Sequence, residues 1–269
     1  MTDRTTESGA GAAPLLSLRS MNKSFGAVHV LKDAGIDAWA GKVTALVGDN
    51  GAGKSTLVKG IAGIYAFDHG EYLFEGRPVH VTNPKQSAAL GIEVVYQDLA
   101  LCDNLDVVQN MFLGREMRTG LTLDETTMER RAAETLAGLS VRTLKSVRQK
   151  VSSLSGGQRQ TVAIAKSVLW NSKLVILDEP TAALGVAQTE QVLNLVRRLA
   201  DNGLAVILIT HNMNDVMRVA DSIAALYLGR TAAQVDAKSV TTTQIVELIT
   251  AGYSGEIGLP PNIAEEAVA

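Results

Sequence analysis

The run Val43-Thr44-Ala45-Leu46-Val47 leads directly into Gly48-Asp49-Asn50-Gly51-Ala52-Gly53-Lys54-Ser55-Thr56. The first five residues read as a short buried strand, and the pattern from Thr56 to Tyr65 reads as a helix. Between them the loop matches G-x-x-x-x-G-K-[ST] at every fixed position. Each residue type has a chemical reason. Glycines let successive backbone N–H groups turn inward around phosphate oxygens, and the start of the helix adds its dipole. Lys54 is placed to reach β- and γ-phosphates, and the Ser55 hydroxyl suits Mg²⁺. A strand running in and a helix running out mark this as a phosphate loop on a parallel sheet.

The rest of the chain supports that sheet. Leu174-Val175-Ile176-Leu177 and Leu204 to Thr210 are buried-strand patterns, separated by the helical stretch Val186 to Asn202. Helix Asn214 to Ala220 and strand Ser222 to Tyr227 continue a β-α-β-α rhythm, which predicts a parallel sheet with helices on both faces. Earlier, Leu15 to Phe25 and Val28 to Trp39 read as strands, as do Gly70 to Phe74 and Gly91 to Tyr96, with a helix from Pro84 to Leu90. From about Ala100 to Ser167 the texture turns charged and Ala/Leu-rich, notably over Leu123 to Leu139, which predicts a helical subdomain. Residues 1–14 and 253–269 read as tails, the first disordered.

Composition narrows the classes of function. The 269 residues are 46% hydrophobic and 4% aromatic, a balance suited to Val/Ile/Leu strands and Ala-rich helices. The net charge of -3, with no long basic block, offers no electrostatic case for nucleic acid. The single cysteine, Cys102, excludes an internal disulfide and reads as a small hydrophobe or a loop residue. No run reaches the ~18 apolar residues that a bilayer span requires.

Two further stretches carry chemistry. Asp178-Glu179 stands where the strand Leu174 to Leu177 leaves the sheet, the end at which such sheets bind ligands. Asp178 is placed to hold Mg²⁺, and Glu179 to take a proton from an attacking water. Leu154-Ser155-Gly156-Gly157-Gln158 opens a second helical pattern, Arg159 to Trp170. Ser155 and Gln158 satisfy a capping box, which accounts for both of them but not for two adjacent glycines. A second anion-seeking helix start is the other reading.

Taken together, these residues resemble the ATP-binding cassette ATPases. The loop Gly48 to Ser55, the run Leu154 to Gln158 and the strand ending in Asp178-Glu179-Pro180 are similar to the Walker A, signature and Walker B motifs, in that order and spacing. The resemblance spans about Leu15 to Ala251, and the signature run is its most specific part. It implies an α/β phosphate-loop core with a parallel sheet, an N-terminal antiparallel β subdomain and a helical subdomain inserted at about 99–168, all within a domain of residues 15–252. It also implies binding of ATP and Mg²⁺ at Gly48, Asp49, Asn50, Gly51, Ala52, Gly53, Lys54, Ser55 and Thr56. Ser155, Gly156, Gly157 and Gln158 would meet the nucleotide held by a second subunit.

The resemblance assigns further positions. Gln97, in Tyr96-Gln97-Asp98, looks like the Q-loop glutamine near metal and water, and His211 looks like the switch histidine at the γ-phosphate. Phe25 is similar to the aromatic that stacks on adenine, with core packing as its rival. One position departs from the family: Gly185 stands where the D-loop aspartate is usual. Pro180 to Val186, Asp98 to Leu105 and His211 to Val216 resemble the branch serving ribose-, xylose- and fructose-type importers. With one cassette in the chain, that implies a homodimer on membrane permease subunits at the cytoplasmic face of the cell membrane, supplied by an extracytoplasmic sugar-binding protein. The competing readings are an ATPase of an exporter or amino-acid importer, a soluble cassette acting in translation or DNA repair, and a small-molecule kinase.

Overall fold

The computed structural model describes residues 13–139, 141, 144–260 and 263–264; most of the tail expected at 1–14 lies outside these. The chain opens with a hairpin of β1 (Leu16–Phe25) and β2 (Val28–Ala38), then β3 (Val43–Gly48) and α1 (Lys54–Ile61). Next come β4 (His69–Phe74), the short β5 (Arg77–Pro78), α2 (Pro84–Ala89) and β6 (Ile92–Val95). The central stretch holds α3 (Val107–Phe112), a minimal hairpin of β7 (Arg118–Thr119) and β8 (Thr122–Leu123), α4 (Glu125–Gly138) and α5 (Gly156–Val168). After it come β9 (Leu174–Asp178), α6 (Val186–Asp201), β10 (Ala205–Ile209), α7 (Met213–Val219), β11 (Ser222–Tyr227) and β12 (Arg230–Asp236). Helix α8 (Thr242–Ala251) and a hairpin of β13 (Tyr253–Ser254) and β14 (Ile257–Gly258) complete the order.

Two sheets organise these elements. The larger runs β12-β11-β3-β10-β9-β6, and the smaller β2-β1-β4-β5 is antiparallel. In the larger sheet every neighbouring pair is parallel except β11 and β12. Its central strands are buried on both faces, so their sequences are nearly continuous Val/Ile/Leu runs. Successive residues of β9 serve opposite cores: Val175 and Leu177 join the cluster beneath α3, α5 and α6, whereas Leu174 and Ile176 pack toward the antiparallel sheet.

The helical stretch between β6 and β9 is held together around Trp170. Phe112 of α3 meets its ring edge-on at 5.5 Å, and the guanidinium groups of Arg115 and Arg131 lie 5.6 and 5.3 Å from it. This stretch is helical as its composition predicts, with the two-residue ladder of β7 and β8 added to it.

The C-terminal region differs most from expectation. Strand β12 was not legible because Arg230-Thr-Ala-Ala-Gln-Val-Asp236 shows no strict apolar alternation. Its polar side chains have a structural use. Thr231 Oγ1 donates to Gly35 O at 2.7 Å, and the Gln234 amide bonds both Asp37 N and Asp37 O at 2.8 Å. They thus stitch the large sheet to β2. A two-residue turn joins β11 to β12, with both Leu228 (φ 46) and Gly229 (φ 84) left-handed, the geometry that matches hairpin twist. The tail expected at 253–269 is corrected over its described residues. Tyr253 pairs with Gly258 and Ser254 with Ile257, and Leu259 N donates to Gly252 O at 2.9 Å. Ala264 is buried against the α8 side of the core.

Candidate active site

The parallel register brings three strand ends to one edge. Leu46 of β3 and Asp178 of β9 both pair with Ile209 of β10. The segments leaving these strands therefore meet in one place: the phosphate loop after β3, Glu179 after β9 and His211 after β10. Gln97 lies two residues beyond β6. A cleft of about 640 Å³ opens here, lined by residues including Gly48, Lys54, Ser55, Gln97, Asp178, Glu179 and His211. Asp49, Asn50, Gly51, Gly53 and Thr56 also line it, whereas Ala52 is buried beneath the loop.

The loop itself needs its glycines. Gly53 (φ 101) precedes α1 in the left-handed region, where a side chain would be strained and would meet the Leu31 side chain. Lys54 Nζ donates to Gly48 O (2.7 Å) and Asp49 O (2.9 Å), so the ammonium is folded over its own loop. Burial lowers the pKa of Lys54, opposed by the negative charge of Glu179, Asp49 and Asp178. Burial raises that of Asp178, reinforced by Glu179 and opposed by Lys54. Lys54 thus stands among three carboxylates, a balance that favours a further cation beside it.

Glu179 and His211 are in direct contact, Oε1 to Nδ1 at 2.9 Å. Glu179 has φ 49, a left-handed conformation that is uncommon for a residue with a side chain. The oxygen-rich set of the Ser55 hydroxyl, the Asp178 carboxylate and the Gln97 side chain, gathered in one cleft, fits Mg²⁺, a hard cation that keeps several waters.

Phe25 and the run Ser155 to Gln158 do not line this cleft. Phe25 is 47% exposed at the end of β1, and Tyr65 meets its ring edge-on at 5.1 Å. Its exposure sets aside core packing as the role of this ring. The Tyr65 hydroxyl donates to Thr56 O at 2.8 Å, which ties this aromatic pair to the first turn of α1. At α5 the capping box is present: Gln158 N donates to Ser155 Oγ (3.4 Å) and Ser155 N to Gln158 Oε1 (2.9 Å). The glycines have neighbours as well. A Cβ on Gly157 would lie 3.1 Å from the Gln188 side chain, and one on Gly156 would lie 3.4 Å from Leu184. The segment after Glu179 thus passes beside the second helix start. The contact of Tyr65 with Phe25 and that of Gln188 beside Gly157 were not legible in the sequence, because each joins residues about thirty or more positions apart.

A phosphate loop on a parallel sheet, an acidic strand end, an antiparallel β layer and an inserted helical stretch define a nucleotide-binding ATPase cassette. The chain belongs to the ABC transporter family, whose profile matches residues 31–182. It is 42% identical to a fructose import ATP-binding protein of Rhizobium meliloti, over 88% of this chain and 94% of that one. Identity to a xylose/arabinose import ATP-binding protein of Sulfolobus acidocaldarius is 41%, over 91% and 97%. A ribose import ATP-binding protein of Escherichia coli O157:H7 is 34% identical, and the match spans 47% of its length. Among solved structures, the ADP conformation of an ATP-binding cassette of an ABC transporter has the same fold, with TM-score 0.76 and 24% identity over 89% of this chain and 96% of that one. The cbiO1 protein of Clostridium perfringens, part of an ABC transporter complex, superposes with TM-score 0.75 and 26% identity over 96% and 100%. Among the described residues, no helix is long and apolar enough to cross a membrane.

Proposed function

We propose that this chain is the ATP-hydrolysing subunit of a monosaccharide importer, acting as a homodimer on membrane permease subunits at the cytoplasmic face of the cell membrane. An extracytoplasmic sugar-binding protein would supply the solute. The observation that carries this reading is near full-length identity above 40% to two proteins named for fructose and xylose/arabinose import. Lys54, Ser55, Gln97, Asp178, Glu179 and His211, to which this reading gives the hydrolytic roles, support it by facing one cleft.

In this reading the backbone N–H groups of Gly48 to Thr56 hold the phosphates of ATP, and Lys54 leaves its loop carbonyls to meet the β- and γ-phosphates. Phe25 stacks on adenine. Ser55, Asp178 and Gln97 would hold Mg²⁺, which when bound neutralises charge on the β- and γ-oxygens. Glu179 accepts the proton of the attacking water, and His211, which rests against the Glu179 carboxylate, holds the γ-phosphate. Ser155, Gly156, Gly157 and Gln158 of a second copy close the site, using the N-terminus of α5 as an anion-binding end. Phosphoryl transfer relies on positioning and electrostatic stabilisation, so each of these groups should matter to rate.

The direct test is reconstitution. The chain is co-expressed with candidate permease subunits, purified as a complex and placed in proteoliposomes with a panel of sugar-loaded binding proteins. Stimulation of ATP hydrolysis by one monosaccharide-loaded protein is the expected result. Stimulation by an amino-acid-loaded protein, or no association with any permease, would overturn the assignment.

A further inference from the structure

We infer that Thr181 and Asp215 form a positioning pair for ATP hydrolysis, whose hydrogen bond holds the Glu179 turn against the segment carrying His211. The inference rests on the catalytic reading of Glu179 and His211 above.

Thr181 Oγ1 donates to Asp215 Oδ2 at 2.7 Å, across 34 residues of chain. Asp215 is only 5% exposed, although it sits in the first turn of α7. A buried carboxylate requires a partner of this kind. It is not spent on capping, because Asn212 caps α7 by accepting from Asn214 N. Thr181 lies two residues after Glu179, and Asp215 four residues after His211.

The geometry gives this bond its role. Glu179 sits at φ 49 just before Pro180, a conformation that persists only where the surroundings over-determine it. The bonds of this turn include Glu179 N to Ile209 O (2.9 Å), Ala182 N to Glu179 O (3.1 Å) and Thr181 Oγ1 to Asp215 Oδ2 (2.7 Å). The first and third both tie the turn to the β10–α7 segment, one on each side of His211. The backbone bond sets the height of Glu179 above the sheet, and the side-chain bond keeps the turn from swinging away from α7. Together they hold Glu179 Oε1 beside His211 Nδ1. Neither Thr181 nor Asp215 lines the cleft, so both act through Glu179 and His211 and not on the nucleotide.

The test uses the purified full-length chain with Mg²⁺–ATP. Asp215→Ala and Thr181→Val should each lower kcat about ten- to a hundredfold, the range for a small misplacement of reacting groups. The KM and the Kd for ATP should stay within about twofold, because the phosphate loop is untouched. Asp215→Asn, which keeps an acceptor, and Thr181→Ser, which keeps the donor, should recover most of the rate. The double variant should be no worse than Asp215→Ala alone. Independently of turnover, the His211 imidazole ¹⁵N signals should move in Asp215→Ala as they do in Glu179→Gln. Unchanged His211 signals and normal kcat in Asp215→Ala would overturn the pairing, as would a loss of ATP affinity equal to the loss of rate. Glu179→Gln separates the pair from the catalytic reading beneath it. If that variant hydrolyses ATP normally, the catalytic reading fails and takes this pair with it; if it is inactive while Asp215→Ala is normal, only the pair fails.

Discussion

His211 Nδ1 lies 2.9 Å from Glu179 Oε1, bridging the gap between the ends of two neighbouring parallel strands. The two side chains differ sharply in exposure, 79% for His211 and 17% for Glu179. The carboxylate is therefore the anchored partner and the imidazole the movable one. In the proposed reaction Glu179 stays near the sheet to receive a proton, while His211 is free to turn toward a phosphate.

Glu179→Gln keeps the shape of this contact and removes the base. Turnover of Mg²⁺–ATP should fall by ~10²-fold or more, the usual contribution of a general base. ATP affinity, measured by equilibrium titration, should be unchanged. Near-normal turnover would remove Glu179 from the mechanism.

The shared-site arrangement is tested by mixing. Ser155→Arg should block hydrolysis while leaving nucleotide binding by the single chain intact, and Lys54→Ala should abolish binding at its own loop. In a mixed dimer one composite site is doubly damaged and the other has both native halves. Mixing the two inactive variants should therefore restore ATP hydrolysis. No recovery at any ratio would count against a site built from two copies.

Phe25 and Tyr65 form an edge-to-face pair, tied through the Tyr65 hydroxyl to the helix start that follows the phosphate loop. Phe25→Ala should weaken ATP binding by about ten- to a hundredfold, in line with the ~1–3 kcal/mol lost when a base loses its aromatic partner. Tyr65→Ala should weaken it by about two- to tenfold through loss of the ring that orients Phe25, worth ~0.5–1.5 kcal/mol. Titrations with ATP and with inorganic triphosphate separate the effects, since triphosphate affinity should not change in either variant.

The approach of Gln188 to Gly157 predicts a rescue. Gly157→Ala places a methyl group 3.1 Å from the Gln188 stem, and such overpacking costs about 1–3 kcal/mol. Thermal unfolding should show a drop in Tm of about 2–4 °C per kcal/mol for a domain of this size. Adding Gln188→Ala should restore Tm but not ATP hydrolysis, because the helix start would still be blocked from approaching a phosphate. Recovery of hydrolysis together with Tm would assign Gly157 to packing alone.

Much of the architecture was legible locally. Leu174 to Leu177 and Leu204 to Thr210 announce buried parallel strands because both faces of such strands meet apolar layers, so hardly any polar position interrupts them. Ser155 and Gln158 announce a helix start because a capping box acts within four residues. The edge strand β12 was hidden for the opposite reason. Its Thr231 and Gln234 bond to the backbone of β2, nearly two hundred residues earlier, and no local pattern encodes that partner.

By itself, then, the sequence determined the phosphate loop, the acidic strand end, the second helix start and the family, since each depends on residue types at short fixed spacing. Only the tertiary structure decided which of these share a cleft. The parallel register of β3, β9 and β10 places Lys54, Asp178, Glu179 and His211 at one sheet edge, and leaves Ser155 to Gln158 outside it. The Thr181–Asp215 bond and the Gln188–Gly157 approach belong wholly to that level, because they join segments about thirty residues apart whose contact arises from packing and from no spacing along the chain.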